Sequence, residues 1–150
     1  MSDNLSDSPV LIMQKYLVGE SLFTLPSSQS TWPLHMSSMP DGINVDDNVG
    51  CVFDHMPQLD GRYLQDGELF LHYSFLLRIR CANYEIGWTK AMNILQNIMS
   101  AARESVLVGD NNYEIQSFTT HSGITSRGTE ENTKRRSIFE LSFIAVINEE

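Results

Sequence analysis

The feature that most constrains this 150-residue chain is a long alternating strand that runs almost without a break into a long amphipathic helix, between Leu69 and Ala102. Along the strand Leu71, Tyr73, Phe75, Leu77, Ile79 and Cys81 share one face, and His72, Ser74, Arg78 and Arg80 share the other with Phe70 and Leu76. A period of two sustained over that length predicts a sheet with one face turned to a core. Asn83 then supplies an N-cap side chain, and Glu85 a carboxylate in the first turn, where the helix dipole favours it. Trp88, Ala91, Met92, Leu95, Ile98, Met99 and Ala102 recur at three- and four-residue spacing, so they predict the stripe that packs on the sheet.

The remaining elements follow from local signals. Ser8-Pro9 is a helix start, and Val10, Leu11, Met13, Leu17 and Val18 predict a short first helix ending near Gly19. That helix is apolar on more than one side, so either two of its faces are buried or one meets another subunit. The stretch from Leu25 to Asp47 holds Pro26, Pro33, Pro40, Gly42 and many serines among Trp32, Leu34, Met36 and Met39. It reads as an arm that lies on its own domain or on a neighbour. Val49, Cys51 and Phe53 predict a short strand paired antiparallel with the long one, and the connection from His55 to Glu68 is expected to protrude. Beyond the second helix, Val106 to Val108 precede a Gly109-Asp110-Asn111-Asn112 turn and a strand from Tyr113 to about Thr119. Thr120 to Arg136 is polar and reads as a mobile loop. The last strand sets Phe139, Leu141, Phe143, Ala145 and Ile147 against Arg136, Glu140 and Ser142, which share their face with Ile138, Ile144 and Val146. The expected fold class is α+β: a single domain, mainly an antiparallel sheet with one long helix packed on it and a short N-terminal helix.

Composition excludes several classes. A 41% hydrophobic content fills one core and rules out a disordered chain. A net charge of −9 argues against binding nucleic acid by neutralising phosphates. Cys51 and Cys81 both fall in predicted strands, which points to reduced core residues of an intracellular protein. The longest early apolar run, Val10 to Met13, is too short for a bilayer span or a signal core, so a soluble protein made in the cytoplasm is expected. Cys51, Asp54 and His55 lack a second pair at ligand spacing, and His35, His55, His72 and His121 are scattered. Asp41, Asn44, Asp46, Asp47 and Asn48 miss the spacing of a calcium loop and read as an Asx turn. No nucleophile elbow, phosphate loop or dinucleotide fingerprint is present, so no catalytic residue and no cofactor is expected. Lys134, Arg135 and Arg136 form the one basic cluster, read either as charges that discourage edge aggregation or as a docking patch for an acidic partner.

One resemblance gathers these residues. The first helix with its long loop, Val52-Phe53-Asp54, the strand ending Leu77-Arg78-Ile79-Arg80, the Asn83-Tyr84 helix start, the helix behind it and an aromatic-rich closing strand resemble the tail terminator proteins of long-tailed bacteriophages, from Val49 to Ile147. The longer arm and the longer connection at 55–68 depart from that pattern. The resemblance implies a virion protein without an active site. It would form a hexameric ring that caps the head-proximal end of the tail tube, stops tube growth and offers the surface for head joining. Its implied partners are further copies of itself, the tube protein and the head-tail connector, with DNA passing through an acidic lumen and no membrane. Arg62, Tyr63, Arg78, Arg80, Arg127, Lys134 and Arg135 are the candidate interface residues, Arg78 and Arg80 either pairing with the next subunit or standing on a solvated sheet face. On the same reading, removal of 122–134 is expected to leave a folded protein that fails to join tails. A head completion or neck adaptor protein is the alternative, and a small-ligand-binding domain is the next.

Overall fold

A computed structural model describes residues 5–26, 31–40, 45–54, 62–63, 69–130 and 135–149. The order is α1 (Pro9–Gly19), β1 (Leu34–Met36), β2 (Val49–Asp54), β3 (Arg62–Tyr63), β4 (Leu69–Cys81), α2 (Tyr84–Ser100), β5 (Glu104–Val108), β6 (Asn111–Thr129) and β7 (Ser137–Glu149). His55, Asp41, Asn44 and Lys134 lie outside the described residues, as does most of the 55–68 connection; of Arg62, Tyr63 and His121 the backbone alone is described.

Both helices start where capping chemistry places them. Ser8 Oγ accepts the Leu11 N–H at 3.2 Å ahead of Pro9, and Asn83 Oδ1 accepts the Ile86 N–H at 3.0 Å. The sheet runs β1-β2-β4-β7-β6-β5, with β3 pairing the start of β4, and it curls into one α+β domain. β4 and β7 pair antiparallel from Leu71↔Ile147 to Cys81↔Ser137 and form its centre. Phe75, Leu77, Ile79, Phe139, Leu141 and Phe143 are buried on the face that meets both helices. Each such side chain contributes about 2 kcal/mol through the apolar area it removes from water. A Cβ at Gly87 would overlap Cys81 Sγ and the Phe139 ring, so this glycine lets α2 approach the sheet closely.

Four expectations need correction. The sheet is mixed, because β1 lies inside the 25–47 arm and pairs parallel with β2, Leu34↔Gly50 to Met36↔Val52. Three residues are too few to display a period, so the arm's composition concealed the strand. Second, the 120–136 segment is strand through Thr129, paired with β7 as far as Thr129↔Ser137 with four register shifts. Ser and Thr on an outer strand need only main-chain partners, which β7 supplies, so this region carries no hydrophobic alternation. Deleting 122–134 would therefore remove sheet pairing rather than a loop. Third, the α1 helix is no accessory to one long helix. Ile12, Met13 and Leu17 are fully buried, Gln14 Nε2 donates to the Leu34 carbonyl at 2.7 Å, and the Tyr16 hydroxyl donates to Asn97 Oδ1 at 2.8 Å. Its second apolar face is covered by its own domain. β2 needs no correction: Cys51 is buried as expected, under the arm on the face that carries Arg78, while Val52 joins the main core. Fourth, α2 buries Gly87, Ala91, Ile94 and Ile98, while Trp88 and Met99 of the predicted stripe are exposed. The apolar sector is wider than the sheet covers, so its edge was mistaken for its centre.

Candidate subunit interface

Of the candidate residues, Arg78, Arg80 and Arg127 gather on the sheet face turned away from the helices, whereas Arg62 and Tyr63 are placed by their backbone alone at the start of β4 and Lys134 lies outside the described residues. Alternation along β4 puts Arg78 and Arg80 there, and the register sets Arg78 opposite Glu140 and Arg80 opposite Ile138. β6 brings in Arg127 and Thr129 from the other side of β7. Glu140 is buried between two guanidiniums. Arg78 donates to Oε2 from Nε at 2.8 Å and from Nη2 at 2.7 Å, and Arg127 donates to Oε1 from Nε at 2.5 Å. Burial pushes the Glu140 carboxyl up, but the hydrogen bonds from Arg127 and Arg78 prevail and hold it below the ordinary carboxylate range. The Arg78 and Arg127 side chains stay 40% and 62% exposed, so each is held in place yet open to contact.

Arg80 and Arg136 are buried and serve differently. Arg80 donates to the Pro40 carbonyl at 2.5 Å and the Asp46 carbonyl at 2.7 Å. Arg136 donates to Asp47 Oδ1 at 2.8 Å and the Val45 carbonyl at 3.1 Å, with Glu130 Oε1 at 3.5 Å. The two arginines tie Pro40 and residues 45–47 of the arm down to their own domain. Arg80 thus leaves the set of interface candidates, and the basic cluster is split: Arg136 is internal, whereas Arg135 is exposed with a φ of 50°. Between the arm and the sheet lies an open depression of about 520 Å³, walled by Met39, Phe53, Arg78, Thr129, Glu130 and Ile138. Arg78 Cζ sits 5.2 Å from the centroid of the Phe53 ring, so its charge already rests against an aromatic face.

A second uncovered surface runs along α2. Tyr84, Trp88 and Met99 are 50%, 38% and 70% exposed, with Met92 and Leu95 half-buried between them. Tyr84, Trp88, Met92, Leu95 and Met99 fall four, four, three and four residues apart, which makes one stripe beside the buried one. The Tyr84 and Trp88 rings stack with centroids 6.4 Å apart and planes 5° from parallel. Sequence reasoning counted Trp88 and Met99 as core and gave Glu140 no role. Glu140 had a usable signal, as a carboxylate within an otherwise apolar strand opposite an arginine-bearing one.

Elsewhere the chemistry is quiet. Burial pushes the Cys51 and Cys81 thiols up to about 11, which suppresses the thiolate. Lys90, with its ammonium 4.8 Å from the Phe23 ring centroid and 5.0 Å from that of Trp32, donates to the Leu22 carbonyl and is lowered by burial. Among the described residues no group of three or more His, Cys, Asp or Glu could hold a metal ion, and no helix is long and apolar enough to cross a membrane. The chain matches no family model and no curated protein sequence.

Proposed function

We propose that this chain is a structural ring subunit of a long-tailed phage virion, acting at the head-proximal end of the tail tube as a terminator. The supporting observation is the arrangement around β4: an arginine-bearing strand that runs into an Asn83-capped helix and pairs along its length with an aromatic-rich closing strand. That is the pattern of elements by which the sequence resembles tail terminators. A ring needs two different surfaces on each subunit, because head-to-tail contacts close into rings whereas self-complementary ones stop at a pair. The arginine depression and the α2 stripe supply two such surfaces on opposite sides of the sheet. In this role the protein works by binding alone, with further copies, tube protein and connector as partners. The net charge of −9 would line the lumen with like charge to DNA and let it pass without adhering.

The test is negative-stain imaging and mass measurement of the purified chain, alone and after addition to tubes assembled from the cognate tube protein. Rings, or tubes that stop growing with density at one end, support the reading. A chain that stays monomeric, ignores tube ends and binds a small molecule instead would overturn it. Attachment to filled heads but never to tubes would favour the neck adaptor.

A further inference from the structure

We propose that the two surfaces meet: the Tyr84 and Trp88 pair on α2 of one copy seats in the Arg78 depression of the next. This rests on the ring reading and names its contact. Copies carrying −9 each repel at long range, so they can touch only where the local surface is poor in negative charge. Both surfaces qualify. At the depression the exposed guanidiniums of Arg78 and Arg127 neutralise Glu140, the buried Arg136 neutralises Glu130 in the wall, and the α2 stripe is uncharged. Their chemistry is also complementary. The depression offers guanidinium edges beside Phe53, Met39 and Ile138, and the stripe offers two flat aromatic faces with methionines behind them. Aromatic faces attract guanidinium through the ring quadrupole, and Tyr, Trp, Met and Arg are the side chains enriched at protein interfaces.

Both partners are ordered before they meet. Glu140 fixes Arg78 and Arg127, stacking fixes Tyr84 against Trp88, and so docking immobilises few free side chains. Because the contact is between an aromatic pair and a guanidinium, its strength resists salt while the long-range repulsion between copies is screened. Association therefore strengthens as salt rises, the reverse of an interface built on exposed ion pairs.

The experiment uses two variants at exposed positions, each spoiling one surface. Trp88→Lys places a cation against the arginines, and Thr129→Trp fills the depression without entering the core. Circular dichroism and thermal melting confirm that each variant folds, with Trp88→Gln and Thr129→Gln as the milder substitutes where one does not. By analytical ultracentrifugation the wild-type chain forms assemblies that grow with salt, and each variant alone associates about tenfold more weakly or worse. An equal mixture then yields a dimer and nothing larger, because each partner retains one intact surface. Variants that assemble like the wild type, or a mixture with no dimer, overturn the contact while wild-type rings leave the ring reading standing. Loss of assembly in Thr129→Trp but not in Trp88→Lys also overturns it, since the depression then receives something other than α2. A wild-type chain that is monomeric alone and absent from tube ends overturns both.

Discussion

Arg78 and Arg80 stand two residues apart on the same face of the same strand, yet they belong to different regions of the molecule. Arg80, with Arg136, is buried under the arm, and the pair spends its donors on the carbonyls of Pro40, Val45 and Asp46 and on the Asp47 carboxylate. Arg78, with Arg127, holds a buried glutamate and keeps the rest of its guanidinium open. The first pair organises the fold and the second pair presents a surface. What separates them is only what lies across from each: a returning segment of chain in one case, solvent in the other.

The contrast can be broken at four points. The largest effect is expected from Arg136→Ala, which leaves Glu130 and Asp47 facing an emptied buried site; the cost is about 3–5 kcal/mol, read by urea denaturation. Arg80→Ala should follow at about 2–3 kcal/mol, from lost hydrogen bonds of a charged donor. With its ties gone, the arm should also be cut faster by protease than the sheet, and uniform resistance would argue against Arg80 as its anchor. Glu140→Gln tests the second pair through pH. Its folded carboxyl is held below its unfolded value, so the stability it contributes is present at neutral pH and is lost as pH falls through the depressed folded value. The glutamine variant should thus lose stability less steeply than the wild type between pH 5 and pH 2, roughly the window of carboxylate titration. The smallest effect is expected from Arg78→Gln, under about 1 kcal/mol, because Arg127 remains on Glu140 and the lost pair is partly exposed. A loss as large as that of Arg136→Ala would erase the distinction between the two pairs.

Much of this was legible in order along the chain. The span of β4, the caps of α1 and α2, the antiparallel partnership of β2 with β4, and the core faces of β4 and β7 follow from spacing and from side chains within a few residues of one another. The candidate site was legible by half. Arg78 and Arg127 could be picked out as exposed cations, but Arg80 and Arg136 looked the same in sequence, and Glu140 gained its meaning only from its two partners. Trp88 and Ile94 illustrate the same limit on α2, where both fit a helical stripe and only the width of the covering sheet separates exposed from buried.

By itself, then, the sequence determined the class of fold and the strongest elements, because periodicity, capping and turn chemistry act over a few residues. The tertiary structure alone decided that a serine- and threonine-rich segment becomes half of β6, that a three-residue piece of the arm joins the sheet in parallel, and that neighbouring arginines face inward or outward. Each of those outcomes depends on a hydrogen-bond partner outside the segment itself: the facing strand for β6 and β1, and for the arginines a carbonyl 40 residues away at Pro40 for Arg80 and 91 away at Val45 for Arg136. A buried polar group must find such a partner, and only the folded path of the backbone brings it there.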